Sequence, residues 1–273
     1  MSNIGCLIFW DDERYDFMGE VACRSFQKFH PDITLFRIDR TKISHYQSEF
    51  DTFLKHGAGI VKFAIAYSIM KVNNLSKIII LGADTITLDR LNEFIDNNNH
   101  DILTTLDYKY ACHQNSMLLS TINTHYNADV VCFNNADSLL QCIKNSIPFG
   151  KVKSSDENLF CEQGGLNYTC NIEGRVTHHC VDNEDTNICY NVKSKGRVGS
   201  TPNMIMPGNQ FKVSDDKVFT SNGLQIKVWH YCSGFGVRED WQGAYYELNR
   251  DLGDDFCNFV KQITELDITK GES

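Results

Sequence analysis

Nowhere in the 273 residues do apolar side chains run together for the ~20 positions that a bilayer-spanning helix requires. An excess of basic residues is also missing. Lys+Arg 26 against Asp+Glu 35 leaves a formal net charge of −9, the wrong sign for general binding to nucleic acid or to an anionic membrane. No charged segment precedes the short apolar run Ile4-Gly-Cys-Leu-Ile-Phe9, which reads as a first strand and not as a secretion signal. Internal repeats are absent, as is any linker that would part the chain into independent domains. What is present, 42% hydrophobic, 11% aromatic and 22% charged residues, excludes a disordered or fibrous chain. The eleven cysteines, an odd number spread from Cys6 to Cys257, point to reduced thiols and a cytoplasmic location. Cys161, Cys170, His178, His179, Cys180 and Cys189 lie close enough in sequence to supply a zinc site. They lack the C-x₂₋₄-C spacing, and buried thiols with surface histidines are the simpler reading.

The first half of the chain alternates strand and helix patterns. After the opening strand, Met18, Val21, Ala22, Ser25, Phe26 and Phe29 recur at helical spacing, and Pro31 closes that segment. Ile33–Ile38 reads as a second strand. Val61, Ile65, Ile69 and Val72 mark an amphipathic helix, and Lys77-Ile-Ile-Ile-Leu81, ended by Gly82, reads as a fully buried parallel strand. The order β-α-β-α-β predicts an α/β fold in which helices flank a mixed, mostly parallel sheet. Further on, Val130–Phe133 reads as a strand and Asp137–Ile143 as a short helix. Residues 191–223 show no periodicity, which for a segment of that length predicts a functional loop or lid.

Ligands of open parallel sheets bind beyond the carboxyl ends of the strands. Two segments occupy that position. Trp10-Asp-Asp-Glu-Arg-Tyr15 offers carboxylates and aromatic rings to a base or ribose. Gly82-Ala-Asp-Thr85 places one carboxylate where a hard cation bridging phosphates could sit. The same residues also suit a turn and a helix start.

Together these segments resemble the nucleotide-sugar glycosyltransferases of the GT-A fold, and most closely the glycogenin-like family 8. Asp12-Glu-Arg-Tyr15 resembles the family's D-x-x-Y opening, and Ile80-Leu-Gly-Ala-Asp-Thr85 its metal-binding L-D-A-D-T segment. Tyr126-Asn-Ala-Asp-Val130 is similar to F-N-A-G-V, and Glu162-Gln-Gly-Gly-Leu-Asn167 to D-Q-x-x-L-N. Trp229-His-Tyr-Cys-Ser-Gly234 with Trp241 resembles H-F-x-G-x-x-K-P-W. The resemblance covers residues 12 to 241 and departs from the family at two points: Gly82 stands where the metal motif begins with aspartate, and Arg238-Glu-Asp-Trp241 replaces K-P-W.

The resemblance implies a single GT-A-like, Rossmann-related domain, with a nucleotide-binding half (1–105) and a half for donor sugar and acceptor (106–273). It implies transfer of a sugar, with retention, from a nucleotide-diphosphate sugar, uridine-linked in the family, to a hydroxyl on a glycan, protein or small molecule. Gln163 and Glu162 would be catalytic. Asp12, Tyr15, Lys62, Asn127, Asp129, Asn167, Gly234 and Arg238 would bind the donor, and Asp84 and His230 a divalent cation. That mixed oxygen and imidazole set favours Mn²⁺ over Mg²⁺. Read from the residues, Lys62 is equally a solvated helix lysine and His230 a core histidine, and Lys193-Ser-Lys-Gly-Arg197 would be the lid over the diphosphate. Two alternatives stay open: an inverting transferase with Glu162 as base, and, because of Gly82, a non-catalytic nucleotide- or glycan-binding relative.

Overall fold

The computed structural model describes residues 3–107, 122, 124–149, 161–182, 186–193, 211–220, 223–232 and 253–268, with backbone only for 14, 186–193 and 231–232. β1 (Ile4–Phe9) is buried along its whole length, as a continuous apolar strand in the middle of a covered sheet must be. It lies between β2 (Thr34–Ile38) and β3 (Lys77–Gly82), parallel to both. The connections are helical: α1 (Asp16–Phe29) follows β1, while α2 (Gln47–Phe53) and α3 (Ala58–Val72) follow β2. Alternate residues of β1 serve opposite layers, as the two-residue strand period dictates. Cys6 and Ile8 join Ala22 and Phe26 of α1; Leu7 and Phe9 join Ile60, Ala64 and Ile65 of α3. Each such Leu- or Ile-sized side chain contributes about 1.5–3 kcal/mol by leaving water.

Beyond β3 the chain runs through β4 (Thr85–Thr87) and α4 (Asn92–Ile95) to β5 (Ile102–Leu106), and later into β6 (Tyr126–Phe133). β6 inserts between β3 and β5, antiparallel to both. α5 (Ala136–Ser146) starts at Asn135, whose side chain caps it by accepting the Ser138 N–H. α6 (Cys161–Tyr168) follows, and β7 (His178–Cys180) closes the sheet parallel to β5. The strand order is β2-β1-β3-β6-β5-β7, with three of its five pairings parallel. This is the mixed, mostly parallel α/β architecture that the sequence pattern predicts.

A second sheet is built on β4. It contains β8 (Thr186–Lys193), β9 (Lys212–Ser214), β10 (Lys217–Phe219) and β11 (Gln225–Cys232). β9 and β10 correct the reading of 191–223 as wholly irregular. They form a hairpin whose two turn residues, Asp215 and Asp216, have φ of 51° and 56°, the left-handed pair that tight hairpins require. Three residues per strand are too few to register as alternation. The last helix, α7 (Asp254–Thr264), sets Phe256, Phe259 and Val260 against Met18 and Val21 of α1 and Trp229 of β11.

Two further expectations change. α3 is not amphipathic: it is covered by the sheet on one side and by α5 and α6 on another, so even Lys62 is buried, and Val72, in its last turn, is 83% exposed. Cys161 and Cys170 belong to the apolar core, while His178 and His179 point to opposite faces of β7. Among the described residues, the cysteines and histidines of 161–180 do not converge as metal ligands. The side chain of Cys189, residues 194–197 of the expected lid, Gly234, Arg238 and Trp241 lie outside the described residues.

Candidate functional site

The carboxyl ends of β1 and β3 open into a cleft of about 190 Å³. Phe9, Trp10, Asp11 and Tyr15 line one side; Ala58, Gly59 and Lys62 come from the start of α3; Gly82, Ala83, Asp84 and Asp129 form the remainder. Trp10 is held by its indole N–H, which donates to Asp16 Oδ1 at 2.8 Å, and by the Arg37 guanidinium 5.2 Å above its ring. Tyr15 ends a 3₁₀ turn whose backbone closes on Asp12, so Asp11 and Tyr15, not Asp12, line the cleft.

Strand register assembles the charged part of the site. In the antiparallel pairing of β3 with β6, Leu81 faces Val130, so the next step sets Asp129 beside Gly82. A Cβ on residue 82 would lie 2.7 Å from Asp84 Oδ1 and 3.0 Å from the Asp129 Cβ. Glycine therefore leaves the space in which these two side chains approach. In the second sheet, β11 pairs with β4 so that His230 faces Thr85. His230 Nε2 comes to lie 3.4 Å from Asp84 Oδ1 and 3.7 Å from Asp129 Oδ2. Ligand-type atoms of Asp84, Asp129 and His230 all fall within 4.8 Å of one another. Two carboxylates that close, with a gap left by glycine, match the oxygen chemistry of a hard divalent cation.

Lys62 reaches this cluster from α3 and donates to Asp129 Oδ1. Burial pushes the Lys62 ammonium toward neutrality, but Asp129 and Glu162 outweigh it and hold its pKa above the ordinary lysine value. Burial likewise raises the Asp129 carboxyl, yet Lys62 and His230 bring it below the usual range. The pair is therefore charged.

The Glu162-Gln163 pair lies in the first turn of α6, and both side chains are buried. Burial raises the Glu162 carboxyl, with Lys62 opposing. Its carboxylate lies against the backbone of α3, where a Cβ on Gly59 would come within 1.8 Å of Glu162 Oε2. The Gln163 amide donates to Asp107 Oδ2 at 2.6 Å. Asn127 sits beside His230, and Asn167 is turned onto β6, accepting the Tyr126 N–H at 2.8 Å and donating to the Tyr126 carbonyl at 2.9 Å. Asn167 thus clamps α6 to the sheet and is not among the residues lining the cleft.

The structure brings Tyr15, Lys62, Asp84, Asp129 and His230 together and buries Glu162, Gln163, Asn127 and Asn167 around them. Sequence reasoning assigned Asp129 to the donor sugar and missed its place beside Asp84; it named Asp11 only within the Trp10–Tyr15 segment, and it missed Gly59 and Asp107. The glycine ending β3 was the available signal for Asp129, since a missing side chain at a strand end leaves room for a neighbour's. Gly59 and Asp107 carry no local signal.

The similarity to known proteins is structural. No protein-family model matches the sequence, and no curated protein matches it at a significant level. A solved galactosyltransferase LgtC, in complex with donor and acceptor sugar analogs, is 13% identical, with 96% of each chain covered and a TM-score of 0.50. Mouse xyloside xylosyltransferase 1 is 9% identical over 69% of this chain and 87% of that one, at a TM-score of 0.45. The glycosyltransferase GlyE of Streptococcus pneumoniae TIGR4 is 13% identical over 67% and 45% of the respective chains, at 0.41. The fold is that of the GT-A glycosyltransferases.

Proposed function

We propose that the chain is a glycosyltransferase that moves a sugar from a nucleoside-diphosphate donor, a UDP-sugar in our reading, to a hydroxyl of a glycan, protein or small molecule. One observation carries the proposal: in a GT-A fold, two carboxylates and a buried lysine converge where β1 and β3 open into a cleft walled by aromatic rings. Trp10 and Tyr15 offer their faces to the base, and the Asp11 carboxylate suits the ribose hydroxyls. Asp84, Asp129 and His230 would hold the cation, a mixed oxygen and imidazole set for which Mn²⁺ is preferred to Mg²⁺. When bound, a divalent cation offsets the charge that builds on a departing diphosphate.

The remaining work falls to the chain's own groups. Lys62 supplies a fixed positive charge beside the leaving group, in a buried setting where such a charge acts strongly. Glu162 orients the sugar hydroxyls. The Asp107 carboxylate accepts the Gln163 NH₂, so the Gln163 carbonyl oxygen is turned away from Asp107. In our reading it faces the anomeric carbon and stabilises its developing positive charge, which fits a retaining outcome. The family resemblance would add Gly234 and Arg238 to the diphosphate site. An inverting role for Glu162 is less well supported, because its carboxylate is buried against Gly59. The argument for a non-catalytic relative rested on Gly82, and Asp129 answers it by bringing a carboxylate to the same place.

Release of UDP from a panel of UDP-sugars, with and without Mn²⁺, tests the reading. Release with at least one sugar, lost in Asp84→Asn, is expected. No release, and no thermal shift with any nucleotide sugar, would overturn it.

A further inference from the structure

Positions 82 and 129 cannot both carry a side chain. They face each other at the end of the antiparallel pairing of β3 with β6, one step past Leu81 and Val130. Residues paired across two strands ordinarily set their Cβ atoms about 4.5–5.5 Å apart. Here a Cβ on residue 82 would stand 3.0 Å from the Asp129 Cβ and 3.2 Å from its Cγ. Backbone conformation does not demand the glycine, because Gly82 is not among the glycines with positive φ. Space does.

Both positions also project the same way. Ile80 and Val131, two residues from them along each strand, form a register pair in the layer packed on α3. By the two-residue strand period, 82 and 129 point toward α3 as well. Lys62 of α3 meets the carboxylate there. Its ammonium donates to Asp129 Oδ1, while Oδ2 lies on the His230 side, 3.7 Å from Nε2. A side chain rooted at residue 82 would start beside the same Cγ and 2.7 Å from Asp84 Oδ1, in the cleft that Lys62 also lines. Asp84 Oδ1 ends a side chain that can turn aside, whereas the Asp129 Cβ is fixed to its strand. A hard cation needs an oxygen at this place, whichever strand brings it.

We propose that 82 and 129 are alternative carriers of one carboxylate, supplied in this chain from β6 with glycine opposite it on β3. The step to the cation rests on the metal-assisted reading above; the exclusion between the two positions does not.

The transposed variant Gly82→Asp/Asp129→Gly tests this against its two single variants. Isothermal titration with Mn²⁺ in the presence of UDP reads the ligand. Losing an outer partner of a ligand already costs a metal site about 10–100-fold, so Asp129→Gly is expected to lose at least about tenfold in affinity. The double variant is expected to bind more tightly than Asp129→Gly. Wild-type affinity in Asp129→Gly, or no recovery in the double variant, overturns the proposal. Urea unfolding without metal reads the exclusion. Gly82→Asp is expected to lower the midpoint by pressing on Asp129, and Asp129→Gly by leaving buried Lys62 without its partner. In the double variant the two losses should fall short of their sum. Losses that reach or exceed the sum overturn the shared place. Should Asp129→Gly fail to fold, a folded double variant is the same rescue, and failure of both overturns the proposal. If the wild type does not bind Mn²⁺ with UDP, the metal-assisted reading fails, and the urea comparison still decides the exclusion.

Discussion

Asp129 stands beside Gly82, one step beyond the Leu81–Val130 pair of β3 and β6, and the Lys62 ammonium rests on its carboxylate. One strand supplies the room and its antiparallel neighbour supplies the charge. A methyl group on residue 82 would lie 2.7 Å from Asp84 Oδ1 and 3.0 Å from the Asp129 Cβ, so it presses on both carboxylate side chains at once. Gly82→Ala is expected to weaken Mn²⁺ binding in the presence of UDP by about tenfold, equivalent to about 1.4 kcal/mol. Isothermal titration checks this, and unchanged affinity would refute the placement of the cation between Asp84 and Asp129.

Lys62 is buried with Asp129 in direct contact and Glu162 close enough to raise its pKa. Lys62→Met leaves these carboxylates without their counter-charge, a change that typically costs about 3–5 kcal/mol. The double variant Lys62→Met/Asp129→Asn removes one of the stranded charges and is expected to recover a substantial part of that loss. Urea unfolding of the wild type and both variants measures it.

Gly59 has a different task, since it admits the Glu162 carboxylate to the first turn of α3. Gly59→Ala must expel that carboxylate. Displacements of this kind in a reacting site cost on the order of a hundredfold in turnover. We expect the rate of UDP release to fall by about that factor while UDP affinity changes little, because in the proposed reading Glu162 would serve the sugar end of the donor. Initial rates and a binding titration separate the two effects.

His30 gives the fold a pH dependence away from the site. Its ring is stacked 4.3 Å from Phe26, its Nδ1 bonds the Phe26 carbonyl at 3.1 Å, and its Nε2 accepts the Leu91 N–H at 2.9 Å. Burial pushes its pKa from 6.5 down to about 4, with Arg90 adding to the shift and Asp32 and Asp89 opposing it. The unfolded chain therefore takes up the proton first. The stabilisation is complete above pH 6.5 and is lost as the pH falls toward 4, and its full size is about 3 kcal/mol. Denaturant midpoints should drop between pH 7 and about 5 in the wild type, and less in His30→Gln. Parallel curves for the two proteins would contradict this.

The strands of the first half were legible because burial on both faces demands continuous β-branched or apolar runs, as in Ile78–Leu81. α1 was legible from its one-sided spacing. α3 misled, because a helix covered on several sides has no polar face to reveal its orientation, and so Lys62 passed as an ambiguous surface residue. The hairpin of β9 and β10 was too short to show a period. Within the site, Asp84 could be placed at a strand end, and Glu162-Gln163 and His230 through the resemblance to GT-A enzymes.

Local order along the chain determined that β1 and β3 are buried, that Asp84 follows the second of them, and that acidic and aromatic residues stand at the end of the first. Those properties depend on neighbours in sequence, through side-chain period and turn chemistry. That Asp129 fills the space at Gly82, that His230 reaches Asp84, and that Asn127 holds the His230 ring were decided only in the tertiary structure. Each depends on register between strands distant in the chain. Register is set by how whole faces fit together and not by any residue alone, and a slip of one position would turn Asp129 to the opposite face of the sheet.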